Sequence, residues 1–198
     1  MKWKGLKMKN IVKNERIYGL KNSFRVSKFP MSVNSDKCNS EYTNTVKMLG
    51  TAKKGSGHDN FLKGVVVQFD LSFTIKAWTE AERYHWFDIV SSQSTMHKIS
   101  SMNYDECFCK YVTDNTKNEM NRLKDIYNKT KKTEDYLALL YNCPTGTILT
   151  AGVTTNYQQL KTIYAQRKNH RLPEWRMFCD WIKTLPYSFL ITGEKNNE

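Results

Sequence analysis

Between Val65 and Ile75 every odd-numbered residue is apolar (Val65, Val67, Phe69, Leu71, Phe73, Ile75), whereas Gln68, Asp70, Ser72 and Thr74 are polar. A period of two sustained over this length commits the segment to a β-strand with one buried face. Thr79-Glu80-Ala81-Glu82 follows and reads as a capping box, with Thr79 as N-cap and Glu82 three residues on. It predicts a helix to about Val90, with Ala81, Tyr84, His85 and Asp88 near one stripe and Trp86 and Phe87 off it. Aromatics on more than one side imply that this helix packs on two neighbours.

The other elements are read from weaker signals. Gly19–Phe29 suggests a strand, and Tyr42–Leu49 a helix ended by Gly50. Lys53-Lys54-Gly55-Ser56-Gly57 is a loop. Helices are expected over 118–129, over 133–141 with Thr133 as cap, and over 156–168, with a β-like run at 146–153 between the last two. Pro173 marks a helix start, and Trp175, Phe178, Cys179, Ile182 and Leu185 supply that helix's apolar stripe. No repeat or low-complexity linker divides the chain, so residues 1–198 read as a single domain, with 1–16 and 192–198 as loose ends.

Bulk properties exclude some classes and leave others open. No apolar run approaches the roughly 20 residues that span a bilayer, so no membrane is expected and a cytoplasmic location is. Five scattered cysteines, an odd number, fit a reducing compartment; Cys107 and Cys109 stand too close for a zinc knuckle. The net charge of +12 is common among proteins that bind nucleic acid or phosphorylated small molecules. Lysines spread along the chain, from Lys2, Lys4, Lys7, Lys9 and Lys13 to Lys129, Lys131 and Lys132, equally suit a merely solvated surface. There is no G-x-S-x-G, Walker loop or H-E-x-x-H.

Two blocks carry a family resemblance. The first is Gly57-His58-Asp59-Asn60-Phe61-Leu62-Lys63, the alternating strand and the segment after it. The second is Cys143-Pro144, then Thr154-Thr155-Asn156-Tyr157-Gln158-Gln159-Leu160, Arg167, His170 and Pro173-Glu174-Trp175. Together, in this order and spacing, they resemble the flavin-dependent thymidylate synthases, over about half of the chain. The resemblance implies an α/β (α+β) fold, an antiparallel sheet with flanking helices, and a homotetramer with active sites between subunits.

Carried over by position, the resemblance implies a nucleotide site formed by Ser92, Asn156, Arg167 and His170. It implies flavin-side residues at His58 and, nearby, Arg83. A guanidinium such as that of Arg167 suits a phosphate or uracil edge, because its fork of donors matches paired acceptors. The family's arginine-rich signature is largely replaced. Phe87-Asp88-Ile89 stands where R-H-R is expected, Ser94-Thr95 where N-E is expected, and Ile99 at the final arginine. Gln158 and Leu140 stand at two further arginine positions. Positioned cations provide much of the electrostatic stabilisation in such chemistry. FAD is therefore a candidate cofactor that this chain is expected to hold poorly, and no catalytic residue is assigned.

Three readings stay open. One is a nucleotide-binding relative in a sequestering or sensing role, without the full flavin chemistry. The second is an active enzyme that methylates dUMP. The third is an oligomeric interaction protein whose basic surface meets nucleic acid or an acidic protein.

Overall fold

The computed structural model describes residues 11–53 and 55–194. In chain order the elements are β1 (Val12–Tyr18), α1 (Leu20–Val26), α2 (Asn44–Thr51), β2 (Val66–Thr74), α3 (Ile75–Ala81) and β3 (Phe87–Ser92). Then come α4 (Thr95–Lys98), α5 (Tyr104–Cys107), α6 (Asp114–Thr130), α7 (Thr133–Tyr141), β4 (Ile148–Asn156), α8 (Tyr157–Arg167), α9 (Pro173–Ile182) and α10 (Phe189–Thr192). The strands form one antiparallel sheet in the order β1-β2-β4-β3. The chain is thus mixed α/β, an antiparallel sheet with helices.

The alternating segment sits where its pattern demands, in the middle of the sheet. β2 pairs with β4 along its full length, from Val66 opposite Asn156 to Thr74 opposite Ile148. Val67, Phe69, Leu71 and Phe73, with Ala151 and Val153 of β4, form the buried face. The apolar stripe of α9 covers it: Phe178 packs on Phe69, Phe73 and Phe87, Trp175 on Phe73, and Trp181 on Phe69. On the other face Ser72 and Thr150 share a hydrogen bond at 2.7 Å, and Asn14 donates to Asp70 at 2.6 Å. That face is polar, as the even positions of β2 require.

Three expectations are corrected. The Gly19–Phe29 segment is helical over α1, because its buried residues Ser23, Phe24 and Ser27 recur at helical spacing. The helix expected from Thr79 to Val90 starts and ends earlier. Thr74 is its N-cap, accepting from Ala77 N at 3.2 Å, whereas the Thr79 hydroxyl bonds back to Lys76 O within the helix. Residues 87–92 are the edge strand β3, and Phe87 is held there by Phe69 and Phe178. At the N-terminus, residues 12–16 of the segment read as a loose end pair with β2 as β1. Lys2, Lys4, Lys7 and Lys9, and the final four residues, lie outside the described residues.

Smaller differences also have local causes. α2 runs through Gly50 instead of ending there. A Cβ at Gly50 would lie 2.6 Å from Leu190 Cδ2, so glycine lets α10 approach α2 closely. Thr133 is the first residue of α7, and the N-cap position is Lys132, without a side-chain cap. Residues 99–143 build a second, smaller core from Ile99, Tyr104, Phe108, Met120, Leu123 and Leu139. It joins the sheet through a bridge between Phe108 and Thr147. No helix among the described residues is long and apolar enough to cross a membrane.

Candidate functional site

The sequence-predicted residues are distributed by α8, which leaves β4 directly. Asn156 ends β4 and caps α8, its Oδ1 accepting from Gln159 N at 2.9 Å. Arg167 is the last residue of the helix. Eleven residues at about 1.5 Å each put them roughly 16 Å apart along the axis. Asn156 and Arg167 therefore stand at opposite ends of one element, each with its own polar cluster.

At the Asn156 end, Asp59 is 2% exposed and is held by Lys161 Nζ at 2.9 Å. Lys161 also donates to the carbonyls of Gly50 and Ala52, both at 2.8 Å. Gln158, at a position where the resemblance has arginine, donates to Asp59 Oδ1 at 3.2 Å and Asn60 Oδ1 at 3.1 Å. The Lys161 and Gln158 donors are thus directed at the 50–60 segment rather than at a ligand. His58 is exposed beside it and, with Lys28 and Lys37, lines an open depression of about 930 Å³.

At the other end the structure joins two of the predicted residues, Arg167 and His170, with Trp175 of the second sequence block, and adds Glu80 and Tyr84, which sequence reasoning missed. Arg167 Nη1 lies 2.7 Å from Glu80 Oε2, and its Nε donates to the Tyr84 hydroxyl at 2.7 Å. The guanidinium carbon sits 4.9 Å from the Trp175 ring centre and 5.4 Å from that of Tyr84, within cation–π range. Arg167 and Glu80 are 16% and 17% exposed, so the pair is mostly withdrawn from water yet reachable. Tyr84 in turn donates to Gln166 Oε1 at 2.9 Å.

His170 completes the cluster. Its Nδ1 accepts from Leu172 N–H at 3.2 Å, leaving Nε2 to the cluster. That nitrogen faces Glu80 Oε2 at 3.2 Å and Arg167 Nη1 at 2.8 Å. Burial, and then the positive charges of Arg167, Arg176 and Arg171, hold the imidazole below its ordinary pKa, against the opposing pull of Glu80. Both ring nitrogens are thus engaged within the protein. Burial raises the Tyr84 phenol despite its bond to Arg167. In the sequence Glu80 reads as part of a capping box; its i−4 spacing to Tyr84 and i+4 spacing to Lys76 are the local signals of a polar helix face.

The remaining predicted residues lie apart from both clusters. Ser92 is exposed at the end of β3, opposite Ala151, and Arg83 is exposed in the turn after α3. A flavin does not fit the residues that replace the arginine signature. Phe87 is buried against Phe178, Asp88 offers a carboxylate that repels phosphate, and Ile89 is an exposed apolar residue of the edge strand.

Sheet order and helical cover define a mixed α/β protein with the fold of flavin-dependent thymidylate synthases, as the sequence blocks led us to expect. Among solved structures, the chain is similar to the flavin-dependent thymidylate synthase ThyX from Helicobacter pylori complexed with FAD and dUMP. The TM-score is 0.70 at 13% identity, covering 93% of this chain and 98% of that one. A second structure of that enzyme with FAD and dUMP gives 0.69 at 12% identity, covering 93% and 96%. The chain is also similar to a UMP/dUMP methylase, PolB from Streptomyces cacaoi, bound with 5-Br dUMP, with a TM-score of 0.61 at 11% identity covering 89% and 95%. No protein-family model matches the sequence, and no curated protein sequence is similar to it.

Proposed function

We propose that this chain is a divergent relative of the flavin-dependent thymidylate synthases. In this reading it binds a pyrimidine nucleotide as a homo-oligomer, sequestering or sensing it without the full flavin chemistry. The observation that carries the reading is the state of Arg167. Two aromatic rings and the Tyr84 hydroxyl orient its guanidinium in advance, and its partner is a carboxylate whose oxygens a phosphate or uracil edge can replace. Pre-orientation of this kind lowers the cost of binding. The solved structures of this fold that hold dUMP or 5-Br dUMP support a pyrimidine as the ligand. Asn156, Ser92 and His58 then contribute from other protomers or to another part of the ligand, because α8 separates Asn156 from Arg167.

Glu80 competes with the ligand for Arg167, so its removal is the sharpest test. Titration of dUMP by calorimetry is expected to give tighter binding for Glu80→Gln than for the unmodified chain, by about tenfold, the equivalent of roughly 1.4 kcal/mol. Arg167→Lys, which keeps the charge but loses the fork, is expected to weaken it. Equal dUMP affinity in all three proteins would remove the basis of this reading. FAD added to the protein is expected to leave its absorbance unshifted; a yellow protein that forms thymidylate from dUMP would favour the enzyme instead.

A further inference from the structure

The turn that follows α8 gathers guanidinium groups around His170. The His170 amide donates to Arg167 O at 2.9 Å, and Arg167 Nη1 lies 2.8 Å from the ring's Nε2. Arg176, from the first turn of α9, reaches back. Its Nη1 donates to the carbonyls of His170 at 2.5 Å and Arg171 at 3.0 Å. Arg171 itself is exposed, and all three guanidinium groups act on the His170 ring as positive charges. Their counter-charge is small. Glu80 pairs with Arg167 and His170 and also meets Lys76 at 3.8 Å. The next carboxylate along the chain, Glu174, is buried and bonded to Thr74 at 2.8 Å. No ion pair among the described residues includes Arg171 or Arg176.

We infer that this cluster binds a phosphate chain, so that the Arg167 site takes a nucleoside di- or triphosphate in preference to a monophosphate, with Arg171 setting the preference. The inference rests on the nucleotide reading above and adds the class of nucleotide. Like charges gathered on one turn repel, and a polyanion laid among them turns that repulsion into attraction. Each guanidinium presents a fork of donors that matches phosphate oxygens in pairs. A single phosphate that displaces Glu80 satisfies Arg167, and further phosphates are needed to meet Arg176 and Arg171. Two of the three groups are oriented in advance, Arg167 by Tyr84 and the Trp175 ring and Arg176 by the two carbonyls. Only Arg171 has to be ordered by the ligand, which keeps the cost of binding low.

The test is calorimetry on the full chain with dUMP, dUTP and inorganic tripolyphosphate in magnesium-free buffer. The unmodified chain is expected to bind dUTP about tenfold more tightly than dUMP, a comparison that needs no variant. Tripolyphosphate is expected to compete with dUTP. Arg171→Gln is expected to abolish the preference for dUTP while circular dichroism stays unchanged. Lys132→Gln removes the same charge between α6 and α7 and is expected to keep the preference. Equal affinity for dUMP and dUTP in the unmodified chain overturns the phosphate-chain inference and leaves the nucleotide reading standing. A preference lost equally in both variants also overturns it, because the net charge of +12 and not the cluster would then be the cause. Failure of saturating tripolyphosphate to displace dUTP overturns it too. Absence of binding by both nucleotides removes the inference together with the reading beneath it.

Discussion

Arg167 spends its donors inside the protein, on Glu80 and Tyr84, while two rings flank its charge. Removing one member of a withdrawn ion pair strands the other, which costs far more than the net worth of the pair. Arg167→Ala is therefore expected to destabilise the chain by about 2–3 kcal/mol, read as a lower urea midpoint, whereas Glu80→Gln, which keeps a hydrogen-bond acceptor, costs less. His170 gives the same cluster a pH dependence. Its pKa is depressed in the fold, so the unfolded chain binds the proton more readily. The stabilisation is present above the ordinary histidine value of 6.5 and is lost as pH falls through the folded value. Urea midpoints compared at pH 7.5 and pH 5.5 should show this loss, and His170→Asn should flatten it.

Lys161 ties α8 to the segment that follows α2 through one buried carboxylate and two carbonyls. Lys161→Met leaves Asp59 buried without a cation, held only by Gln158, with an expected cost of about 3 kcal/mol. Amide exchange should accelerate across residues 50–60 before it does in β2. The thiols are sorted by the elements that carry them. Burial pushes Cys179 up to about 12 and Cys107 up to about 11, and raises Cys143 as well. Cys38, half-buried in the irregular segment before α2, is expected to react first with a disulfide reagent at pH 8, as peptide mapping would show. These elements were unequally readable beforehand. β2, α7, α8 and the start of α9 follow from alternation, an unbroken helical run, the helical spacing of Leu160, Ile163, Tyr164 and Arg167, and a proline, which are local signals. β3 was missed because its six residues are exposed except Phe87, and a lone buried residue gives no period. In the site, Arg167 and His170 are near in sequence and were found together. Glu80 and Tyr84 reach them only through folding across more than 80 residues, a proximity no local pattern carries.

Taken whole, the protein has two cores of unequal size, the sheet with α8 and α9 and the smaller cluster around Leu139. The second meets the first at the Phe108–Thr147 bridge, the Cys109 N–H to Gly146 O bond and the Cys143–Thr147 contact. Leu139→Ala is expected to cost about 3 kcal/mol. Hydrogen exchange should register it in α6 and α7 while β2 and β4 keep their protection, since weakly coupled units open separately. Within the larger core, β4 feeds α8 without a loop. The internal counter-anion has a consequence for how such a protein changes over generations. Glu80 rests on a surface helix and takes no part in the core, so replacing it by a neutral residue frees a prepared cation without rebuilding the backbone. In the nucleotide-binding reading, the strength of anion capture is thus adjustable by one codon in α3, a dial set apart from the architecture that holds it.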